Sequence, residues 1–142
     1  MEPIHILLVE DNEGDILLTQ DAFEEAKIIN RLSVVKDGKK AIDFLTNQDE
    51  YANESMPDLI LLDVNLPKKN GHEVLTYIKN DENLRRIPVI MLTTSSFKRD
   101  VNLAYENYAN CYITKPIDVK EFVNVVTTIE NFWISIVKLP VK

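Results

Sequence analysis

The sequence predicts an α/β fold: a doubly wound, five-stranded parallel sheet with five helices, arranged in three layers. Three observations predict it. Short continuous apolar runs recur five times, each too short for a helix, and unbroken runs mark strands covered on both faces. Each run is followed by a segment whose apolar residues recur at helical spacing. The runs end in acids, hydroxyls or lysine, the groups that gather where such sheets bind ligands. Strands alternating with helices give a parallel sheet, because each helix carries the chain back before the next strand begins.

Ile4 to Val9 is the first strand, stopped by Glu10-Asp11. After Asp11-Asn12-Glu13-Gly14, the residues Leu18, Ala22, Phe23 and Ala26 share one helical face. Leu32 to Val35 is the second strand, and Gly38 opens a short helix carrying Ala41, Ile42 and Leu45. Asn47 to Pro57 is polar without an apolar period and reads as a surface loop. Leu59-Ile60-Leu61-Leu62 is the most apolar strand and stops at Asp63. Asn65 to Gly71 is loop, and Val74, Leu75 and Ile78 mark a third helix ending near Asn80. Pro88 to Leu92 is the fourth strand; Thr93 to Ser96 is a hydroxyl-rich turn before a helix near 98–107. Cys111 to Thr114 is the fifth strand, closed by Lys115-Pro116. Asp118 with Glu121 three residues on is a capping-box arrangement. The helix it opens carries Phe122, Val123, Val126, Ile129, Phe132 and Trp133. Residues 1–142 read as a single domain, with 135–142 a C-terminal tail.

A chain of 142 residues hides about 68–70% of its unfolded surface, enough to hold a core unaided. Sixteen Lys and Arg against 23 Asp and Glu leave a formal charge of −7. That balance argues against gripping nucleic acid or anionic lipid through a broad basic face. The one cysteine, Cys111, cannot form an internal disulfide and leaves zinc without its usual thiolates. No apolar run approaches the ~20 residues that span a bilayer. Met1-Glu2-Pro3-Ile4-His5 lacks the positive region of a secretory signal. The expectation is a cytoplasmic protein that binds neither membrane nor nucleic acid directly.

In sheets of this kind, ligands sit beyond the carboxyl ends of the strands, where the strand order reverses. The first strand ends in Glu10-Asp11, the third in Asp63, the fourth in Thr93-Thr94 and the fifth in Thr114-Lys115. Three carboxylates brought together repel and drift toward protonation unless a cation intervenes. A hard divalent ion such as Mg²⁺ relieves this, taking one or two carboxylates, a carbonyl, waters and phosphate oxygen. Gly14, Gly38 and Gly71 lie too far apart to form a phosphate-cradling loop, so phosphate is bound covalently or transiently. A carboxylate nucleophile that becomes an aspartyl phosphate fits this set.

Glu10-Asp11, Leu61-Leu62-Asp63-Val64-Asn65-Leu66-Pro67, Thr93 and Lys115-Pro116 together resemble the receiver domain of two-component response regulators, over essentially the whole chain. More narrowly, three stretches are similar to the stand-alone regulators that serve bacterial phytochrome histidine kinases. They are Asn65-Leu66-Pro67-Lys68-Lys69-Asn70-Gly71, Asn110-Cys111-Tyr112-Ile113-Thr114-Lys115-Pro116, and Phe132-Trp133 with Leu139-Pro140. The resemblance implies the flavodoxin-like receiver topology and a phosphoacceptor signalling protein. Such a protein takes a phosphoryl group from a sensor histidine kinase, here a phytochrome, in a Mg²⁺-dependent reaction. It signals by a conformational switch through protein contacts and catalyses only its own phosphotransfer and slow self-dephosphorylation. Mn²⁺ can substitute for Mg²⁺.

The resemblance assigns roles residue by residue. Asp63 is the phosphoacceptor and a metal ligand. Asp11 ligates the metal directly, and Glu10, one methylene longer than the family's commoner Asp, reaches it through water. Asn65 gives the metal its backbone carbonyl, and its side chain influences hydrolysis of the acyl phosphate. Thr93, Thr94 and Lys115 bind phosphoryl oxygens where charge accumulates, and Ser95, like Thr94, is a small residue bordering the site. Tyr112 is the switch aromatic, coupled to Thr93. Pro116 follows a cis peptide that turns Lys115 into the site.

Taken singly, these residues have plainer readings. Asp63 could cap the next helix, and Glu10 or Asp11 the first, a task open equally to Asn12 or Asp15. Asn65 could be a turn residue, Lys115 a surface lysine and Tyr112 a half-buried strand residue. His5 and His72 lack metal-ligand spacing and read as structural or exposed, and Cys111 as an inert buried thiol.

Two rival functions share parts of the set. A haloacid-type aspartyl-nucleophile phosphatase needs Asp-x-Asp at the first strand, the second acid protonating the leaving group. Here the nucleophile lies on the third strand, and the corresponding position is Asn65. A non-phosphorylated pseudo-receiver would lack a metal acid, the nucleophile or the lysine. A transcription factor would need a DNA-binding domain, whereas this chain ends shortly after the fifth helix, so output is expected through protein contact or dimer exchange. Phe132, Trp133, Ile134, Ile136 and Val137 cannot all face one side of a helix. That surplus must face a partner or fold back; the resemblance to phytochrome-partner regulators implies pairing, so a homodimer through helix four, strand five, helix five and the tail is expected. Membrane attachment is the rival, with only Lys138 and Lys142 to recruit anionic lipid.

Overall fold

The computed structural model describes residues 3–25 and 29–141. Met1 and Glu2, Ala26 of the first helical face, and Lys142 of the tail lie outside them. The strands are β1 (Ile4–Val9), β2 (Asn30–Val35), β3 (Leu59–Leu62), β4 (Val89–Thr93) and β5 (Cys111–Thr114). All pair in parallel, in the order β2-β1-β3-β4-β5. The helices are α1 (Glu13–Glu24), α2 (Gly38–Leu45), α3 (Gly71–Asn80), α4 (Lys98–Glu106) and α5 (Val119–Ile129). This is the predicted doubly wound α/β fold, in its flavodoxin-like strand order.

Two-residue periodicity splits the sheet into two faces. Leu7, Val9, Ile60, Leu62, Val89 and Met91 pack with Ala41, Phe44, Leu45, Val74, Leu75 and Ile78. Ile6, Leu8, Leu59, Leu61, Ile90 and Leu92 pack with Ile16, Phe23, Phe122, Val126 and Ile129. Helices α2 and α3 therefore cover one face and α1 and α5 the other. The three inner strands, β1, β3 and β4, are apolar toward both layers, which is why no polar alternation marks them in the sequence.

Local details depart from the expected pattern where long-range packing overrides period. In α1 the buried residues are Ile16, Thr19 and Phe23, with Leu18 and Ala22 half-buried beside them. Thr19 tolerates burial because its hydroxyl donates to the Asp15 carbonyl at 2.7 Å. The polar stretch after α2 contains a short 3₁₀ turn, Asp49–Tyr51, whose Tyr51 ring lies 5.3 Å from Phe44. At the other end, α5 runs on into a π-helical segment, Glu130–Ile136. The irregular end begins at Val137.

The chain leaves β1 toward β2, then crosses back over β1 to reach β3. The connections after β1 and β3 consequently diverge, and a crevice opens between the carboxyl ends of those two strands.

Candidate functional site

Strand register decides which polar residues meet. Val9 pairs with Leu62, and the Asp63 amide donates to the Val9 carbonyl at 3.1 Å. The residues that follow, Glu10 and Asp63, therefore leave the sheet side by side. On the far side Thr93 pairs with Thr114, and the Lys115 amide donates to the Thr93 carbonyl at 2.7 Å. That bond fixes where the Lys115 side chain starts.

The Lys115 ammonium reaches across the sheet edge to three acids. It bonds Glu10 Oε1, Asp15 Oδ2 at 2.9 Å and Asp63 Oδ2 at 3.1 Å. Glu10, Asp63 and Lys115 are all buried, whereas Asp11 is exposed. The other oxygen of Glu10 accepts from the amides of Asp11 and Asn12, both at 3.1 Å. Asp63 Oδ1 accepts from the Asn65 amide at 3.2 Å. One carboxylate oxygen from each of Glu10, Asp11 and Asp63 lies within 4.8 Å of the others, a donor set suited to a hard divalent cation.

Burial drives the Glu10 carboxyl up to about 7, and the nearby Asp63 charge adds to the rise; the hydrogen bond from Lys115 opposes both. Burial alone would lower Lys115, but its bond to Glu10 and the charges of Asp63 and Glu10 hold it above its ordinary value. The pocket is thus an acid cluster whose negative charge exceeds what one lysine neutralises. A second cation is electrostatically favoured there.

The capping alternatives resolve locally. Asn12 caps α1 by accepting from the Asp15 amide at 2.9 Å, and Asn70 caps α3 in a full capping box with Glu73. Neither Asp63 nor the Glu10-Asp11 pair is spent on a helix end. At α5, Asp118 accepts from the Glu121 amide at 3.1 Å.

Thr93 is completely buried, and its hydroxyl oxygen accepts from the Ser95 amide at 3.3 Å. Thr94 and Asn65 are exposed at the edge of the crevice. Tyr112 is half-buried, and its hydroxyl donates to the Ser95 carbonyl at 2.8 Å, so Ser95 stands between Tyr112 and Thr93. The expected cis peptide before Pro116 is not there: the Lys115–Pro116 bond is trans. Trans is favoured at X–Pro by about 0.5–1 kcal/mol, and the Lys115–Thr93 backbone bond with the three ion pairs already aims the lysine inward.

Two features escaped the sequence. Asp15 sits one turn inside α1 and joins the Lys115 cluster, a position indistinguishable in sequence from any solvent-facing helix acid. A second chain of polar contacts links α3 to α4 and the Tyr112 acceptor: the Ser95 hydroxyl bonds Asp100 Oδ2, and His72 Nε2 lies 3.0 Å from Asp100 Oδ1. Neither His72 nor Asp100 carries a local signal for this pairing. His5 is structural, buried between the Ser33 and Ser55 hydroxyls at 2.8 and 3.0 Å.

Comparison with known proteins bears on this geometry. Residues 6–127 match the family model described as the response regulator receiver domain. The chain is 47% identical over 138 residues to the response regulator Rcp1 of Synechocystis, covering 97% of this chain and 94% of that protein. A crystal structure of the phosphorylated cyanobacterial phytochrome response regulator RcpA superposes with a TM-score of 0.96 at 46% identity, covering 99% of this chain and all of that one. The Mn²⁺-bound form of Rcp1 gives the same TM-score at 47% identity, covering 98% of this chain and 100% of that one. With a matching fold, a family model spanning most of its length and near-complete coverage of its relatives, the chain belongs to the response regulator receiver family.

Proposed function

We propose that the chain acts as a single receiver domain over residues 1–142, accepting a phosphoryl group on Asp63 from the phosphohistidine of a sensor histidine kinase. The observation that carries this reading is the setting of Asp63. It is buried at the switch point of the sheet, with one oxygen beside Lys115 and the other beside the Asn65 amide.

A carboxylate oxygen of Asp63 attacks phosphorus, forming a P–O bond as the P–N bond to the imidazole breaks. The electron pair of that bond returns to the imidazole nitrogen, which takes up a proton. Lys115 holds negative charge on the transferring group, and Thr93, whose oxygen already accepts from Ser95, keeps its hydroxyl hydrogen to donate to a phosphoryl oxygen. Thr94 borders the same oxygens. Glu10, Asp11, Asp63 and the Asn65 carbonyl would hold Mg²⁺, or Mn²⁺ in its place. When bound, the ion neutralises and orients the phosphoryl oxygens. Thr93 and Tyr112, joined through Ser95, then carry the conformational switch.

The kinase partner in this reading is a phytochrome, because the similar RcpA is a cyanobacterial phytochrome response regulator and the similar RtBRR a bacteriophytochrome response regulator. Leu17 on α1, Ile117 in the β5–α5 turn and Val119 at the start of α5 stand exposed, an apolar rim suited to a kinase helix. Among the described residues no helix is long and apolar enough to cross a membrane, and a cytoplasmic location accords with this role. Output passes through protein contact, including a homodimer through α4, β5, α5 and the tail. The test is phosphotransfer: a phytochrome kinase carrying labelled phosphohistidine is mixed with the chain, with and without Mg²⁺. Transfer of label only with Mg²⁺ is expected; label retained on the kinase under both conditions contradicts the reading.

A further inference from the structure

The loop after β3 carries Asn65, yet Asn65 through Asn70 are exposed apart from a half-buried Leu66. Lys68 lies in the left-handed region at φ 70°, a conformation rare for a residue with a side chain. Left alone, such a loop would be mobile. Two glycines hold it from either end.

Gly71, at the start of α3, donates its amide to the Val64 carbonyl at 2.8 Å. A Cβ there would fall 2.0 Å from the Asp63 carbonyl oxygen. Gly38, at the start of α2, donates its amide to the Pro67 carbonyl at 3.2 Å. A Cβ there would fall 1.9 Å from the Lys69 carbonyl oxygen and 2.6 Å from its carbon. These are contacts with backbone, which no side-chain rotation relieves.

We propose that Gly38 is a positioning residue for the metal site: the α2 N-terminus clamps Pro67–Lys69 and thereby holds Asn65 where its carbonyl can serve the cation. Helix α2 is the stiffer partner, because Ala41, Phe44 and Leu45 anchor it in the core. When a methyl group is forced into the contact, the exposed loop moves. Gly38 itself lies on a different helix from the acids and has no side chain, so its influence runs only through backbone contact. This inference rests on the metal reading given above.

The test measures Mg²⁺ affinity by calorimetry on the full chain, for wild type, Gly38→Ala and Val126→Ala. Val126→Ala lowers stability from α5, in the core on the opposite face of the sheet from α2. Gly38→Ala is expected to weaken Mg²⁺ binding by about tenfold or more, the range for residues that orient metal ligands, while Val126→Ala leaves it within about twofold of wild type. Should Gly38→Ala fail to fold, amide exchange on the wild type decides. Coupling is reciprocal, so saturating Mg²⁺ must slow exchange of the Gly38 amide. Equal Mg²⁺ affinity in Gly38→Ala and wild type, an equal loss in Val126→Ala, or a Gly38 amide indifferent to Mg²⁺ would overturn the clamp alone. A wild type that binds no Mg²⁺ would overturn the metal reading and the clamp with it.

Discussion

The Lys115 ammonium lies 3.1 Å from Asp63 Oδ2, and both groups are buried. The same ammonium also bonds Glu10 and Asp15. One lysine drawn from beyond β5 therefore holds together acids that follow β1, open α1 and follow β3. Its worth lies in what its loss would leave: buried carboxylates without a counter-charge.

Lys115→Ala is expected to destabilise the protein in chelator by about 3–5 kcal/mol, the usual cost of removing one partner from a buried ion pair. Urea unfolding near pH 8 measures it. A loss below about 1 kcal/mol, typical of exposed pairs, would show that the cluster is solvated instead.

Glu10 titrates near 7 in the folded protein against 4.5 in its ordinary state, so between those values the folded protein binds the extra proton. Stability then falls as pH rises through that window. Relative to Glu10→Gln, wild type in chelator should lose stability between pH 4.5 and 7 and stay level above it. Mg²⁺ at a hundred times its dissociation constant should restore about 2.7 kcal/mol, an effect that Asp11→Ala removes. Thermal melts across pH, with Mg²⁺ and with chelator, check both; a wild type that tracks Glu10→Gln at every pH contradicts the burial of a strained acid.

The strands and the residues ending them were legible because each is a local pattern: an apolar run, then Glu10-Asp11, Asp63, Thr93 or Lys115. Parallel pairing then makes adjacency of strand ends nearly automatic. The contacts of Asp15, Asp100 and His72, and the bond from the Ser95 hydroxyl, were not legible. Asp15 meets Lys115 and His72 meets Asp100 across long stretches of chain, Ser95 meets Asp100 only through the local shape of the turn into α4, and nothing in the identity of an exposed-looking helix acid says which neighbour it faces. Tyr51 is similar: its polar surroundings hide a ring that packs on Phe44. The isomer before Pro116 was beyond reach for another reason, since it depends on backbone pairing around Lys115 and leaves no trace in residue order.

Asp100 tests the second polar chain. Hydrogen bonds from Ser95 and then His72 hold its carboxyl below the ordinary 3.8. A depressed acid stabilises the fold above its unfolded value and loses that contribution as pH falls through the folded one. Asp100→Ala should therefore cost about 1–3 kcal/mol at pH 7, with the difference from wild type shrinking below pH 4. A difference that stays constant down to pH 3 would mean that its charge plays no part.

The end of the chain bears on assembly. Ile134 is buried, but Phe132 is half-exposed and Ile136 is 69% exposed, and Phe132 lines an apolar groove with Ile113, Val125, Ile129 and Trp133. Light scattering at tens of micromolar is expected to show a dimer for wild type and a monomer for Trp133→Glu. A wild type that stays monomeric, phosphorylated or not, contradicts pairing through this face.

The central claim is that Asp63 receives the phosphoryl group, and intact-protein mass spectrometry after incubation with acetyl phosphate tests it most directly. With Mg²⁺, wild type should gain one phosphoryl group that survives acid and is lost in base, while chelator should prevent the gain. Asp63→Asn, folded by circular dichroism, should gain none. A phosphoryl adduct on Asp63→Asn with the same Mg²⁺ dependence and base lability would place the acceptor elsewhere and contradict the account.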